Sequence, residues 1–334
     1  MLIPKFKNSL LVASLICAAN LALAAENPFI GSWEITTPGG HAAWLGVEQS
    51  GSGLKASMMW EAGSVEPLAS ATVDGNKLVV TKEHKWERKE NGKTVKGTTT
   101  ETITATRDGD RLALVSVTPK ENGQGETRKE FTGKRTPAMP PAPDLNKVKF
   151  GAPIALFNGK DIKGWRLTDP GAVSGWSVKD GLLVNNPLQE EGKHKNYGNL
   201  RTDAEFEDFN LKVEVRVIKG ENSGIYLRGM YEVQVADTFG RGVDSHNMGA
   251  VYSRITPSVS AEKPPGEWQT LDITFVKRHV TVILNGKTII DNQPVEGCTG
   301  GALSSDVSRP GPIYLQGDHT GVEYRSLVLR PAKG

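Results

Sequence analysis

The segment YEVQVADTFG, Tyr231 to Gly240, sets Tyr231, Val233 and Val235 on one side and Glu232, Gln234 and Ala236 on the other, with Asp237 just beyond. A period of two is the mark of a half-buried β-strand. Its polar side carries a carboxylate and an amide, with a second carboxylate at its end. Such groups can move protons and read vicinal hydroxyls. The upstream run NSGIYLRGM supplies a hairpin partner. If Ile225 and Leu227 share the buried face with Val233 and Val235, paired positions must sum to an even number. The expected register pairs Arg228 with Glu232 and Tyr226 with Gln234 around a loop at Gly229 to Tyr231, gathering four polar side chains on one concave face. A cross-strand Arg–Glu pair of ~0.2–1 kcal/mol needs no function, so a site has to be argued from further groups that converge on it.

His319 is the first of these. It lies in LQGDHTG, on a glycine-flanked loop between two strand-like runs, and imidazole titrates near neutral pH. With Glu232 and Asp237 it forms the candidate catalytic set: one carboxylate takes a proton or orients His319, and the other serves the leaving oxygen. Arg228, Gln234, Tyr226 and Gln316 are the candidate hydroxyl-binding residues, and Tyr252 and Trp268 could offer an aromatic wall to the C–H face of a sugar ring. Asp244 and His246, in GVDSHNMG, form a second group on a loop able to cover the site. Glu232, Asp237 and His319 are also acceptable ligands for a divalent metal ion. No tight His-Glu-x-x-His spacing is present, and Arg228 offers positive charge without a metal.

The elements that must position these residues are strands throughout. RTPAMPPAPD, Arg135 to Asp144, has too many prolines for a helix or a central strand and reads as a stiff linker. Before it, short alternating runs are punctuated by turn signals, among them RDGD between TETITAT and RLALVSV, which predicts an antiparallel up-and-down structure. Its opening GSWEI, with Trp33, and its closing FTGKRTP are similar to the start and end of lipocalin-like barrels. Trp44, Trp60 and Trp86 are either core or the lining of a cavity. After the linker, WSVKDGLLV, FNLKVEVRV, LDITFV, VTVILNGKTII and VEYRSLVLR continue as short strands, with Asn285-Gly286 as a two-residue hairpin turn. Many short strands at regular spacing predict a jelly-roll β-sandwich. The expected division is a leader at 1–25, a barrel-like domain at 26–135, a linker at 136–149 and a sandwich at 150–334 that folds alone.

Lys5 and Lys7 precede an apolar run from Leu10 to Ala19 and a small-residue ALA at Ala22 to Ala24. This reads as a secretory signal, with the protein exported to the periplasm or beyond. No other stretch approaches the ~20 apolar residues of a spanning helix. Loss of the two lysines takes the formal charge from +2 to 0, and no cluster of Lys and Arg suits nucleic acid. Of the two cysteines, Cys17 lies in the leader. Cys298 therefore has no intrachain disulfide partner. Nothing in the pattern fixes an oligomeric state.

LFNGKDIKGW, NSGIYLRGMYEVQVADTFG, MGAVYSRITPSVSAEKPPGEWQTLDITF and GPIYLQGDHTGVEYR, in this order between about Phe150 and Pro331, closely resemble the 3-keto-disaccharide hydrolases, also described as 3-keto-glucoside 1,2-lyases and 3-keto-2-hydroxy-glucal hydratases. The resemblance implies a concanavalin-like jelly roll, an oxidised 3-keto glycoside as substrate, and glycoside cleavage by proton abstraction at carbon 2, elimination at carbon 1 and hydration of the glucal. It places His319 at a matching position. Ser326 and Cys298 depart from the usual pattern without touching an obvious chemical group. Two other readings fit the same residues: a carbohydrate-binding jelly roll without catalysis, and a two-carboxylate glycosidase using Glu232 and Asp237.

Overall fold

The computed structural model describes residues 27–333 apart from Asn91, Asn122, Gly192, His194 and His319. The expected leader lies outside the described residues. Every regular element described is a strand, and no helix among the described residues is long and apolar enough to cross a membrane.

The first nine strands are β1 (Gly31–Thr36), β2 (Ala42–Ser50), β3 (Gly53–Trp60), β4 (Val65–Pro67), β5 (Ser70–Asp74), β6 (Lys77–Glu90), β7 (Lys93–Asp108), β8 (Arg111–Pro119) and β9 (Glu126–Arg135). They pair antiparallel in the order β4-β3-β2-β1-β9-β8-β7-β6-β5. The two end strands are successive pieces of one bent segment. Leu68 N–H bonds Ala56 O and Ala69 N–H bonds Thr81 O, so this segment joins β3 to β6 and closes an up-and-down barrel without a long free edge. Trp33 is fully buried, donates to Phe29 O (2.9 Å), and has the Arg135 guanidinium 4.1 Å from its ring. β2 is buried on both faces because AAWLGV is apolar at every position. Its Ala43, Leu45 and Val47 fill the barrel, while Ala42 and Trp44 join the core of the second half. Trp44 is thus an interface residue, and Trp60 packs edge-on to Phe131 at 5.2 Å.

The second half is a sandwich. Its strands are β10 (Ile154–Ala155), β11 (Trp165–Leu167), β12 (Trp176–Lys179), β13 (Leu182–Asn185), β14 (Leu200–Thr202), β15 (Phe209–Arg216), β16 (Asn222–Leu227), β17 (Tyr231–Ala236), β18 (Gln269–Val276), β19 (His279–Leu284), β20 (Lys287–Pro294), β21 (Tyr314–Leu315) and β22 (Val322–Pro331). One sheet runs β12-β13-β22-β15-β18-β19-β20, with β10 on β22; the facing sheet runs β11-β14-β21-β16-β17. The core between them holds Leu211, Val213, Ile273 and Phe275 from the first and Ile225, Leu227, Val233 and Val235 from the second. The chain is an all-β protein, a jelly-roll sandwich preceded by a barrel.

The proline-rich segment does not hang free. Arg278 donates to Pro137 O and Ala138 O, and Asn292 Nδ2 donates to Pro143 O (3.0 Å). Between barrel and sandwich runs the segment 296–309. Cys298 lies against Ala43 O, Gly301 N–H bonds Glu61 O (2.9 Å), Ser305 Oγ donates to Ile35 O (3.0 Å), and Val307 N–H bonds Glu34 Oε1 (3.3 Å). Arg254, which donates twice to Cys298 O, has its guanidinium 4.2 Å from the Trp44 ring.

Candidate active site

The β16–β17 ladder pairs Tyr226 with Glu232, Gly224 with Gln234 and Leu227 with Tyr231. The even-sum parity holds, so Ile225, Leu227, Val233 and Val235 share the core face. The register is shifted by two from the expected one. Arg228 (φ 55°) and Gly229 (φ 64°) both adopt the left-handed conformation, and Met230 N–H bonds Leu227 O, which makes them the two central residues of a type I′ turn. Arg228 thereby leaves the sheet face. Its guanidinium donates to the carbonyls of Val307 and Arg309 instead of facing Glu232. Those bonds compensate the ~1–2 kcal/mol cost of a left-handed non-glycine residue.

On the outer face of the five-stranded sheet the ladders bring Arg201, Tyr314, Tyr226 and Glu232 into one cross-strand row. Tyr252 extends this row beyond β17, through its N–H to Glu232 O (3.0 Å) and the neighbouring Val233–Val251 bridge. Glu232 is 4% exposed. Its Oε2 accepts the Tyr226 hydroxyl at 3.0 Å, and Gln234, with Nε2 turned to its acceptors, reaches Glu232 Oε1 (3.2 Å) and Ser223 O (2.9 Å). The side chain leans over Gly224, where an added Cβ would stand 2.2 Å from Oε1. Burial pushes the Glu232 carboxyl up to about 8; the Tyr226 hydrogen bond opposes this and the Asp318 charge adds to it. A low-dielectric surrounding disfavours the ionised form, so this carboxyl changes charge near neutral pH. Burial, the Glu232 carboxylate and Tyr314 hold the Tyr226 phenol well above its usual value.

Tyr314 stacks on Tyr226, ring centroids 4.0 Å apart and planes 13° from parallel, and accepts from Asn199 Nδ2 (3.0 Å). The Tyr226 hydroxyl also lies 2.8 Å from Gly300 O, and Glu232 N–H bonds Thr299 Oγ1 (2.9 Å). The 299–301 segment is thus one wall. Gln316 N–H bonds Gly224 O (2.9 Å), and its enclosed Oε1 has no hydrogen-bond partner among the described residues. A buried orphan acceptor on a polar face is suited to a ligand hydroxyl. Tyr314 was visible in the pattern PIYLQ, two residues before Gln316 and so on its face. Gly224 occupies the same position relative to Tyr226.

Asp237 and Trp268 lie elsewhere. Asp237 accepts Gly220 N–H (2.8 Å) and so closes the β15–β16 turn. Trp268 sits between the Arg216 and Arg325 guanidinium groups, 4.8 and 4.6 Å from its ring, on the outer side of the opposite sheet. His319 lies outside the described residues. Among the described residues no three His, Cys, Asp or Glu side chains converge as a metal site. Of the expected ligands, Glu232 bonds Tyr226 and Gln234 while Asp237 bonds Gly220. Tyr252 is at the site's rim, its ring edge-on to His246 at 4.8 Å.

Comparison with known proteins falls on the sandwich. A curated 3-keto-disaccharide hydrolase of Bacteroides thetaiotaomicron is 28% identical over 166 residues, covering 41% of this chain; the chain spans 57% of that relative's length. A solved structure from Parabacteroides distasonis, provisionally described as a glycosyl hydrolase, is 29% identical, with 58% of this chain and 94% of that one covered and a TM-score of 0.44. A carbohydrate-binding module of Bacillus subtilis is 10% identical over 53% of this chain and 99% of its own, with a TM-score of 0.35. The pattern of one family extends over residues 152–330, more than half of the chain, and by it this protein belongs to the family of 3-keto-alpha-glucoside-1,2-lyase-like domains.

Proposed function

We propose that the protein cleaves 3-keto glycosides by elimination, with Glu232 as the proton-transfer group. The observation that carries this reading is one nearly enclosed carboxyl, raised to about 8 and flanked by Tyr226 and Gln234 on the polar sheet face. A ketone at carbon 3 acidifies the proton on carbon 2. Ionised Glu232 takes that proton, the C2–H electron pair becomes the C1–C2 π bond, and the C1–O bond breaks as the leaving oxygen gains a proton. Addition of water to the resulting 2-hydroxy-glucal completes a net hydrolysis. Gln234 and Gln316 are assigned to the hydroxyls of the keto sugar, and Tyr252, next beyond Glu232 in the row, to the C–H face of the group attached to its carbon 1.

A conventional glycosidase needs a second carboxyl about 5–9 Å away; Asp237, the expected partner, is engaged with Gly220 N–H, and the carboxyl whose charge reaches Glu232 is Asp318. A binding module has no use for a carboxyl that titrates near neutrality, since burying it costs stability when it ionises. Matched keto and non-keto glucosides separate these readings. The proposal expects cleavage of the keto compound alone, deuterium at carbon 2 after partial reaction in heavy water, and slower turnover of a substrate deuterated there. Equal cleavage of both compounds with no exchange overturns it. Turnover before and after exhaustive chelation tests whether a divalent ion, held with His319, shares the charge at oxygen 3. We assign residues 1–25 to an export signal on their basic, apolar and small-residue order; the N-terminal sequence of the protein recovered from the periplasm or medium checks this.

A further inference from the structure

The sandwich carries every residue of the proposed chemistry, yet one side of the site leans on the barrel. The turn between β3 and β4, Glu61 to Ser64, touches it in three places. Gly301 N–H bonds Glu61 O (2.9 Å). Gly300 is pressed so closely to the turn that an added Cβ would stand 2.4 Å from Gly63 O and 2.7 Å from Ala62 O; the carbonyl of this same Gly300 lies 2.8 Å from the Tyr226 hydroxyl. Ser64 Oγ, finally, is 3.1 Å from His246 Nε2 and 3.3 Å from the Tyr252 hydroxyl. Val65 N–H, bonded to Ser253 Oγ at 2.8 Å, fixes the far end of the turn.

These contacts have a direction. Tyr252 is the neighbour of Glu232 on the side away from Tyr226, so a sugar ring placed over Glu232 meets Tyr252 next. The ring of Tyr252 is steadied at its edge by His246, which is itself gripped by Asp244, 3.5 Å from Nδ1, and by Ser64 at Nε2. Both rim residues are thus tied to one hydroxyl that comes from the other half of the chain. Hydrogen bonds and packing of this kind hold a binding group in its productive orientation, and its loss shows first in substrate affinity.

We propose that the barrel's Glu61–Ser64 turn is part of the substrate site, with Ser64 a positioning residue that sets Tyr252 and His246 against the second sugar, or other leaving group, of a disaccharide-sized substrate. This rests on the proposed function for the identity of the substrate but not for the existence of the rim. The test compares wild type, Ser64→Ala and Ser64→Thr by two measurements: steady-state turnover of a 3-keto disaccharide, and calorimetric binding of the matching unoxidised disaccharide, which does not react. Ser64→Ala is expected to raise KM about 3- to 10-fold and weaken disaccharide binding to the same degree, with kcat within about twofold. Ser64→Thr restores both, because it returns the hydroxyl. A matched 3-keto monosaccharide glycoside with a methyl leaving group should be handled alike by all three proteins. Binding and KM unchanged in Ser64→Ala, or KM raised to the same degree for the methyl glycoside, overturns the proposal. If wild type binds the disaccharide but leaves the keto form intact, the proposed reaction fails while the binding arm still decides the role of Ser64. A wild type that neither binds nor turns over either compound overturns both.

Discussion

The Tyr226 hydroxyl stands 3.0 Å from Glu232 Oε2 and 2.8 Å from Gly300 O, so one proton faces two acceptors. With Glu232 ionised the proton serves the carboxylate; with Glu232 neutral the carboxyl can donate to Tyr226, which then donates to Gly300. The tyrosine lowers the Glu232 value against the larger effect of burial. Tyr226→Phe removes that help. The acid limb of kcat/KM, expected near pH 8 in wild type for a base of this pKa, should move to higher pH, with turnover at pH 7 falling about tenfold or more. A pH–rate profile of the two proteins checks this, and an unmoved limb would remove Tyr226 from the proton path.

The same carboxyl makes stability depend on pH. Its value in the folded protein, about 8, is above the ordinary 4.5, so between these values the native state binds more protons than the unfolded one. Stability is therefore greatest below about pH 4.5 with respect to this group and is lost as pH rises toward 8. The loss is on the order of 5 kcal/mol at most. Glu232→Gln cannot ionise. Urea midpoints of wild type and variant, compared from pH 5 to 8, should diverge in the variant's favour as pH rises, while the variant's turnover falls by roughly 10² to 10⁴-fold.

Gly224 makes room for the Glu232 side chain. A methyl group there would lie 2.2 Å from Oε1 and 2.8 Å from Cδ, and the flexible carboxylate would swing away before the sheet moved. Gly224→Ala should cost at least about tenfold in kcat while changing thermal stability by no more than a few degrees. Full activity in this variant would show that the carboxylate can work from another position.

Trp268 gives the opposite expectation. It is sandwiched by Arg216 and Arg325 on the far sheet, so Trp268→Ala should leave kcat and KM unchanged. Its effect belongs to stability, at about 1 kcal/mol from lost stacking, measurable by urea denaturation. A raised KM would bring this residue back to the site.

Residues 150–334 expressed alone should be unstable or insoluble. The cut uncovers Arg254, whose value burial lowers to about 10, together with the 296–309 segment and the core residues that Trp44 and Met59 cover. A soluble, active sandwich with a wild-type melting point would show that the barrel contacts are dispensable.

Much of this architecture was legible before folding. Period-two patterning is local, so the strands, the Asn285-Gly286 turn and the polar outer face of β17 could be read directly. Burial of Ile225 and Leu227 with Val233 and Val235 fixed the parity of the hairpin. It could not fix the register, because shifting by two keeps parity; what decided was Arg228 taking a left-handed turn position, held by carbonyls some eighty residues away. Asp237 and Trp268 were misplaced for a related reason. A carboxylate at a strand end and a tryptophan beside one have the same local signature in a turn or on the far sheet as in a cleft. The role of Ser64 had no local signal at all, since it depends on the barrel turn meeting the loops at His246 and Gly300.

Cys298 turns the junction between the halves into something that can be timed. It is the one cysteine among the described residues, fully buried against Ala43 O, with burial pushing its thiol up to about 12. In the closed form it should ignore alkylating reagents, because a thiol so enclosed is neither accessible nor ionised. Each labelling event then counts one separation of barrel from sandwich or one wider unfolding, and the difference between the labelling rate and the global unfolding rate measures how often the two halves part on their own.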